Sequence, residues 1–226
     1  MKTPIHLLAG GPESDASHTT SLLAEALRTC GAARPRVACV GAANGDHPGF
    51  FHRMGALFKA AGARAFELAP TAAPAAIDRA RAVLARADAI FISGGDVAAG
   101  METLRAADLV PLLAERHAAG VPFIGLSAGS IMLSRQWIAW SDPDDDATAA
   151  PFDCLGFAPL LCDTHAEEDD WNELRALLEF QRPGTRGYGI PSRAMLRVHP
   201  DGRTESIGGD VVCLERTAVH QPPRDA

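Results

Sequence analysis

The sequence predicts a three-layer α/β/α sandwich, in which helices cover both faces of a mostly parallel sheet. Short apolar segments alternate with helical stretches through the first half of the chain, and the connections between them are short. Two of these segments, residues 88–93 (DAIFIS) and 121–126 (VPFIGL), carry almost no charge, as expected of strands buried on both faces. Repeated strand–helix units with short connections are typical of a parallel sheet with helices on both sides.

Each element of the first half follows from a local pattern. Apolar runs predict strands, whereas apolar residues at helical spacing, such as Leu22, Leu23, Ala26 and Leu27, predict helices. The predicted strands cover residues 5–9, 36–41, 63–68, 88–93 and 121–126, and the predicted helices cover residues 17–30, 50–58, 74–86 and 109–119.

Three of these strands end in residues that suit a functional site. Gly10 and Gly11 follow the first strand, Gly94 and Gly95 follow the fourth, and Ser127 follows the fifth. In flavodoxin-like sheets, ligands bind beyond the carboxyl ends of the strands. We therefore expect the site at this edge.

The second half is less regular. Residues 141–153 form an acidic loop that contains prolines, and a short strand at 160–162 precedes a helix that runs to about Phe180. Strands at 195–198 and 211–214, separated by turn residues, predict a small antiparallel C-terminal addition. We expect a single domain over residues 1–216 and a frayed tail over residues 217–226.

Composition excludes several classes of protein. The chain has 226 residues, of which 47% are hydrophobic and 22% charged, so extensive disorder is excluded. The net charge is −7 without a basic cluster, which argues against nucleic acid or an anionic membrane as a partner. Five cysteines without a CxxC pair favour reduced thiols in a cytoplasmic protein, without a structural zinc site.

The sharpest motif is GLSAG at residues 125–129, which has the form GxSxG. It lies between a buried strand and an apolar helical turn, the context in which a nucleophile elbow projects its serine from a strained turn. An ordinary glycine-rich turn is the alternative interpretation. We interpret Ser127 as the nucleophile.

A serine nucleophile needs a base, and an acyl-transfer site needs donors for an oxyanion. Among eight histidines, His165 is the best placed, because it follows a short strand and opens a helix. The alternative is a structural histidine. The N–H groups of Gly95 and Ala128 are candidate oxyanion donors, although the glycine pair at 94–95 is also compatible with a simple tight turn.

The segments FISGGD, GLSAGSIML and DTHAEEDDWNELRALL occur in the order and spacing found in the aspartyl dipeptidase (peptidase E) and cyanophycinase family, which the chain resembles from the first strand to about Leu214. The resemblance implies a serine hydrolase on a fold like that of class I glutamine amidotransferases. It implies that Ser127 is the nucleophile, His165 the base, and Gly95 and Ala128 the oxyanion donors. No metal or organic cofactor is implied.

The chain departs from the family at the third member of the triad. Where the family has an acid in a G-[IL]-x-E segment, this sequence has GIPS, which puts Ser192 in place of the carboxylate. A hydroxyl orients an imidazole but stabilises an imidazolium less than a carboxylate does. Asp142, or an acid near His165, is the alternative third member.

A second departure concerns specificity. Aspartyl dipeptidases carry an arginine on the helix after the histidine, and the ungapped match puts Asp170 there, in an acidic run at 167–170. We expect Asp96 and Asp170 to face the substrate. The acids also suit a helix start, with Thr164 and Glu167 as a capping box. Because Asp170 and the neighbouring acids would repel a carboxylate, a substrate with an N-terminal aspartate is disfavoured, and a neutral or basic N-terminal residue is expected instead.

Together these observations predict a cytoplasmic serine hydrolase that cleaves a small peptide or related amide. A homodimer is compatible with this prediction. The alternative is a catalytically weak family member that binds a small metabolite in the same cleft. A carboxylate within reach of His165 favours the enzyme, whereas a Ser127–His165 pair that is oriented only by Ser192 favours the binding protein.

Overall fold

The computed structural model describes residues 3–11, 15–142 and 144–217. Most of the predicted tail, residues 218–226, lies outside the described residues. The strands are β1 (Ile5–Leu8), β2 (Arg36–Val40), β3 (Ala65–Ala69), β4 (Ala89–Ile92), β5 (Phe123–Leu126), β6 (Gln136–Trp140), β7 (Ala149–Asp153), β8 (Leu161–Thr164), β9 (Arg186–Ile190), β10 (Met195–Val198), β11 (Thr204–Ile207) and β12 (Val212–Glu215). The helices are α1 (Ala16–Leu27), α2 (Pro48–Ala60), α3 (Ile77–Ala85), α4 (Val97–Ala106), α5 (Val110–Ala118), α6 (Ala128–Leu133) and α7 (Asn172–Glu179).

The main sheet has seven strands in the order β11-β10-β1-β5-β4-β2-β3. The five strands from β1 to β3 in this order pair in parallel, whereas β10 pairs antiparallel with β1 and β11 antiparallel with β10. The predicted α/β class, with a mostly parallel sheet, is confirmed.

The sheet is covered on both faces, because alternate residues of each strand enter different apolar clusters. In β4, Ile90 and Ile92 pack with residues of α3, α4 and α6, while Phe91 packs with residues of α1 and α2 on the opposite face. All three residues are fully buried. This arrangement produces the three layers and explains why the central strands lack charge.

The C-terminal strands differ from the prediction of one antiparallel addition. Only β10 and β11 extend the main sheet; β12 instead pairs antiparallel with β9, which pairs parallel with β8 in a separate three-stranded sheet. The predicted loop at 141–153 contains β7, which pairs antiparallel with β6.

The predicted helix before Phe180 is interrupted. A 3₁₀ turn at Glu167–Asp169 is followed by Asp170 and Trp171 in left-handed conformations, with φ values of 55° and 62°, and α7 begins only at Asn172. The interruption buries the Trp171 ring in a small cluster that includes Leu161 and Leu174. Burying a large aromatic side chain offsets the cost of two left-handed residues.

The predicted capping box at Thr164 and Glu167 is wrong for the same reason. Ala166 precedes the 3₁₀ turn without a side-chain cap, and the Glu167 carboxylate accepts a hydrogen bond from the Ser192 N–H at 2.8 Å. Within the described residues, no helix combines the length and the apolar character that crossing a bilayer requires.

Candidate active site

Ser127 occupies a strained turn between β5 and α6. Its φ and ψ are 52° and −123°, a conformation that residues other than glycine rarely adopt. Two hydrogen bonds tie the turn to β1, because the Ser127 N–H and the buried Ser130 hydroxyl both donate to the carbonyl of Leu8, at 2.9 and 2.8 Å. The surrounding sheet thus over-determines the strain, as is typical of functional sites.

The two glycines of GxSxG are needed for close backbone approach. A Cβ atom at Gly125 would lie 2.6 Å from the Ser130 backbone nitrogen, and one at Gly129 would lie 2.1 Å from the carbonyl oxygen of Ile92. Both approaches are too short for any side chain. The motif therefore reflects the packing of the turn against its own helix and against β4.

His165 follows β8 and reaches the serine. Its Nε2 lies 2.7 Å from the Ser127 Oγ. The residue has a φ of 45°, and its N–H donates to the carbonyl of Ile190 at the end of β9, at 2.9 Å. Because β8 and β9 are parallel, they bring His165 and the loop after Ile190 to the same edge.

The glycine pair after β4 lies beside the serine. Gly95 has a φ of 146°, and a Cβ atom there would lie 1.9 Å from the carbonyl oxygen of Ala43. The Asn44 side-chain amide donates to the Gly94 carbonyl at 3.0 Å and so fixes the loop. Gly95 and Ala128 line the same small cavity as Ser127.

Ser192 lies close to His165 but is bonded to Glu167. Both side chains pack against Gly11: a Cβ atom built on Gly11 would lie 2.5 Å from the Ser192 Oγ and 3.1 Å from the His165 Cβ. Partial burial alone would raise the pKa of Glu167, but hydrogen bonds to its own N–H and to the Ser192 hydroxyl and N–H, with the charge of His165, lower it. Sequence reasoning gave an unspecified acid near His165 as an alternative third triad member, but it assigned Glu167 itself only to a capping box.

The remaining predicted residues are dispersed. Asp142 is exposed in the loop after β6, where its N–H donates to the Thr148 hydroxyl at 3.1 Å. Asp170 is exposed and forms an ion pair with Arg175 at 3.1 Å. Asp96 caps α4 by accepting from the Ala99 N–H at 2.8 Å, and it lines the small cavity. Of these three, only Asp96 lies at the site.

Two cavities meet at Ser127. The larger cavity, of 670 Å³, is lined mainly by apolar residues such as Phe50, Met54 and Leu126. Arg53 also lines it. The smaller, of 320 Å³, is lined by His165, Trp137 and four acids, which are Asp96, Asp163, Asp169 and Glu173. Among the described residues, no three histidine, cysteine or acidic side chains are grouped so that they could hold a metal ion.

Asp163 lines the small cavity and was not identified by the sequence analysis. The residue is 6% exposed; Oδ1 accepts from the Thr164 N–H at 2.7 Å, while Oδ2 is buried without a hydrogen-bond partner among the described residues. The pKa of Asp163 is raised to about 7, mainly by burial; the Thr164 hydrogen bond opposes this rise, and the negative charges of Glu173 and Asp169 add to it. A charged residue within the short apolar strand β8 was the available signal.

Comparison with known proteins identifies the family. The model of peptidase family S51 matches residues 5–205, so the chain belongs to this family and is a serine-type peptidase. No match was found among curated protein sequences.

Solved structures show the same fold. A peptidase from an acI-B1 Actinobacterium is similar with a TM-score of 0.71 and 17% sequence identity, over 96% of this chain and 95% of that chain. A candidate peptidase E from Listeria monocytogenes EGD-e has a TM-score of 0.67 and 16% identity, over 93% of this chain and 100% of that chain.

The raised pKa of Asp163 predicts a pH-dependent cost to stability. The group stays protonated in the folded state up to about pH 7 but ionises near 3.8 when unfolded, so ionisation favours unfolding as the pH rises between these values. Asp163→Asn removes this effect. About three pKa units correspond to at most about 4 kcal/mol.

We therefore expect Asp163→Asn and the wild type to have similar free energies of unfolding at pH 4. Above pH 7 the variant is expected to be more stable by a few kcal/mol. Urea denaturation at pH 4, 6 and 8 measures both. A stability difference that does not change with pH would contradict the assignment.

Proposed function

We propose that this peptidase cleaves short peptides by acyl transfer to Ser127. The observation that carries the proposal is the 2.7 Å separation between the Ser127 Oγ and the His165 Nε2, on a strained turn at the carboxyl edge of the sheet. In this mechanism the hydroxyl oxygen attacks the scissile carbonyl carbon while Nε2 accepts the hydroxyl proton.

The oxyanion that forms is held by the N–H groups of Gly95 and Ala128. Their position beside Ser127 in one cavity supports this role, and the glycine pair keeps the backbone close enough to approach the reacting oxygen. When the C–N bond breaks, His165 gives its proton to the departing amine. A water molecule then attacks the acyl-enzyme, gives a proton to His165, and releases the acid while Ser127 recovers its proton.

Glu167 and Ser192 together take the place of the missing triad acid. The Glu167 carboxylate holds the Ser192 N–H and hydroxyl, and its negative charge interacts with His165. We infer that Ser192 helps orient the imidazole while Glu167 stabilises the imidazolium formed during attack. This interaction favours a peptidase over a protein that only binds a metabolite in the cleft.

Hydrolysis of dipeptides tests the catalytic pair. We expect Ser127→Ala and His165→Ala each to lower kcat about a thousandfold or more, and the double variant to be no slower than either, because the two residues act as one unit. Matched controls are Ser206→Ala on β11 and His52→Ala on α2, both exposed, which should retain wild-type rates. Wild-type turnover by Ser127→Ala would refute the mechanism.

Steady-state kinetics also test the role of Glu167. Glu167→Gln should lower kcat about tenfold with little change in KM, because an exposed carboxylate stabilises the charged imidazole only modestly. Glu167→Asp should restore part of the rate. The control is Glu168→Gln, a neighbouring exposed acid, which should leave kcat unchanged. Equal effects of the Gln substitutions at 167 and 168 would argue against this role.

A further inference from the structure

The small cavity beside Ser127 is strongly acidic. Asp96, Asp163, Asp169 and Glu173 line it, and within the described residues none of these carboxylates forms an ion pair with an arginine, lysine or histidine. Glu173 and Asp169 are close enough to Asp163 to raise its pKa, so the acids repel one another across a shared space. A positive charge that entered the cavity would relieve this repulsion.

Asp163 gives the cavity a specific acceptor. Its carboxylate is almost wholly buried, yet Oδ2 has no hydrogen-bond partner among the described residues. An unpaired buried polar atom is costly, because the desolvation of that atom is not compensated. A donor on a bound ligand would supply the missing bond, and a cationic donor would also keep Asp163 ionised.

Trp137 adds an aromatic wall. Its ring lines the cavity and is only half-buried, and its indole N–H donates to the Glu173 carboxylate at 2.7 Å, which fixes both side chains. A guanidinium group stacks on such a ring while donating to neighbouring carboxylates, and an ammonium group is attracted to the ring face. The volume of 320 Å³ suits one side chain rather than a large ligand.

The cavity on the other side of Ser127 has the opposite character. It is larger and mostly apolar, and Arg53 lies in its wall over the ring of Phe50, with the guanidinium carbon 5.4 Å from the ring centroid. An apolar side chain and a terminal carboxylate suit this cleft. A peptide that spans the serine would therefore place its positive charge in the acidic cavity and its carboxylate near Arg53.

We propose that the acidic cavity is a specificity pocket for a basic side chain, so that the substrates are dipeptides with an N-terminal arginine or lysine followed by an apolar residue. The pocket rests on the proposed function in that Ser127 cleaves the bond between the two residues. Asp163 is the principal acceptor, and Trp137 and Glu173 form the wall against which the cationic group lies.

The test compares Arg-Leu with citrulline-Leu, in which a neutral urea replaces the guanidinium at nearly the same size. We expect the wild-type kcat/KM to be about ten- to a hundredfold higher for Arg-Leu, the size of one charge-assisted interaction. Asp163→Asn should remove most of this preference, so that the kcat/KM values for Arg-Leu and citrulline-Leu become similar. The control Glu168→Gln removes an acid that does not line the cavity and should keep the full preference.

Several results would overturn the proposal. One is an equal kcat/KM for the two peptides in the wild type, and another is an unchanged preference in Asp163→Asn. A third is that recognition depends on the α-ammonium group alone. In that case N-acetylation abolishes cleavage, whereas Arg-Leu and citrulline-Leu are cleaved equally well.

Binding to Ser127→Ala separates this proposal from the proposed catalysis. Calorimetry should show tighter binding of Arg-Leu than of citrulline-Leu, and the added Asp163→Asn substitution should abolish the difference. If the wild type hydrolyses neither peptide while Ser127→Ala still discriminates between them, the catalytic proposal fails and the pocket stands. If Ser127→Ala binds both equally, or neither, the pocket proposal is wrong.

Discussion

The site depends on the close packing of the Ser127 turn between two neighbouring strands. Gly129 lies so near the Ile92 carbonyl of β4 that no side chain fits, and hydrogen bonds to the Leu8 carbonyl hold the turn against β1. These contacts hold Ser127 at a positive φ. In this conformation the Ser127 side chain is directed toward His165. The central strands of the sheet therefore hold the geometry of the candidate active site as well as forming the core.

The candidate site also contains a buried acidic residue of a kind that the apolar core lacks. Asp163, the third residue of β8, is almost wholly buried and has its pKa raised mainly by burial, although the preceding residues Leu161 and Cys162 are apolar and buried. A carboxylate held in this way weakens the folded state at neutral pH. Sites built for binding or catalysis commonly retain such a cost, because the group is oriented and desolvated before the ligand arrives. The proposed pocket for a basic side chain gives this cost a function.

Local patterns predicted the parts of the structure that local packing determines. The central strands and the GxSxG turn could be predicted because burial on both faces and the close approach of Gly125 and Gly129 leave clear sequence signatures. The interruption at Asp170 and Trp171 could not, because it depends on the Trp171 ring packing against distant residues; a Cβ atom on Gly189 of β9 would lie 2.5 Å from that ring. The pairing of Glu167 with Ser192 and the burial of Asp163 likewise arise only when β8 and β9 come together.

Covalent labelling tests the central claim, that Ser127 is an activated nucleophile, without requiring knowledge of the substrate. A fluorophosphonate reacts with such a serine by forming an O–P bond and releasing fluoride, which intact-mass spectrometry detects as one added phosphonyl group. The account predicts a single adduct that peptide mapping assigns to Ser127, formed quickly by the wild type and slowly by His165→Ala. An unlabelled wild-type protein, or an adduct at another residue, would contradict it.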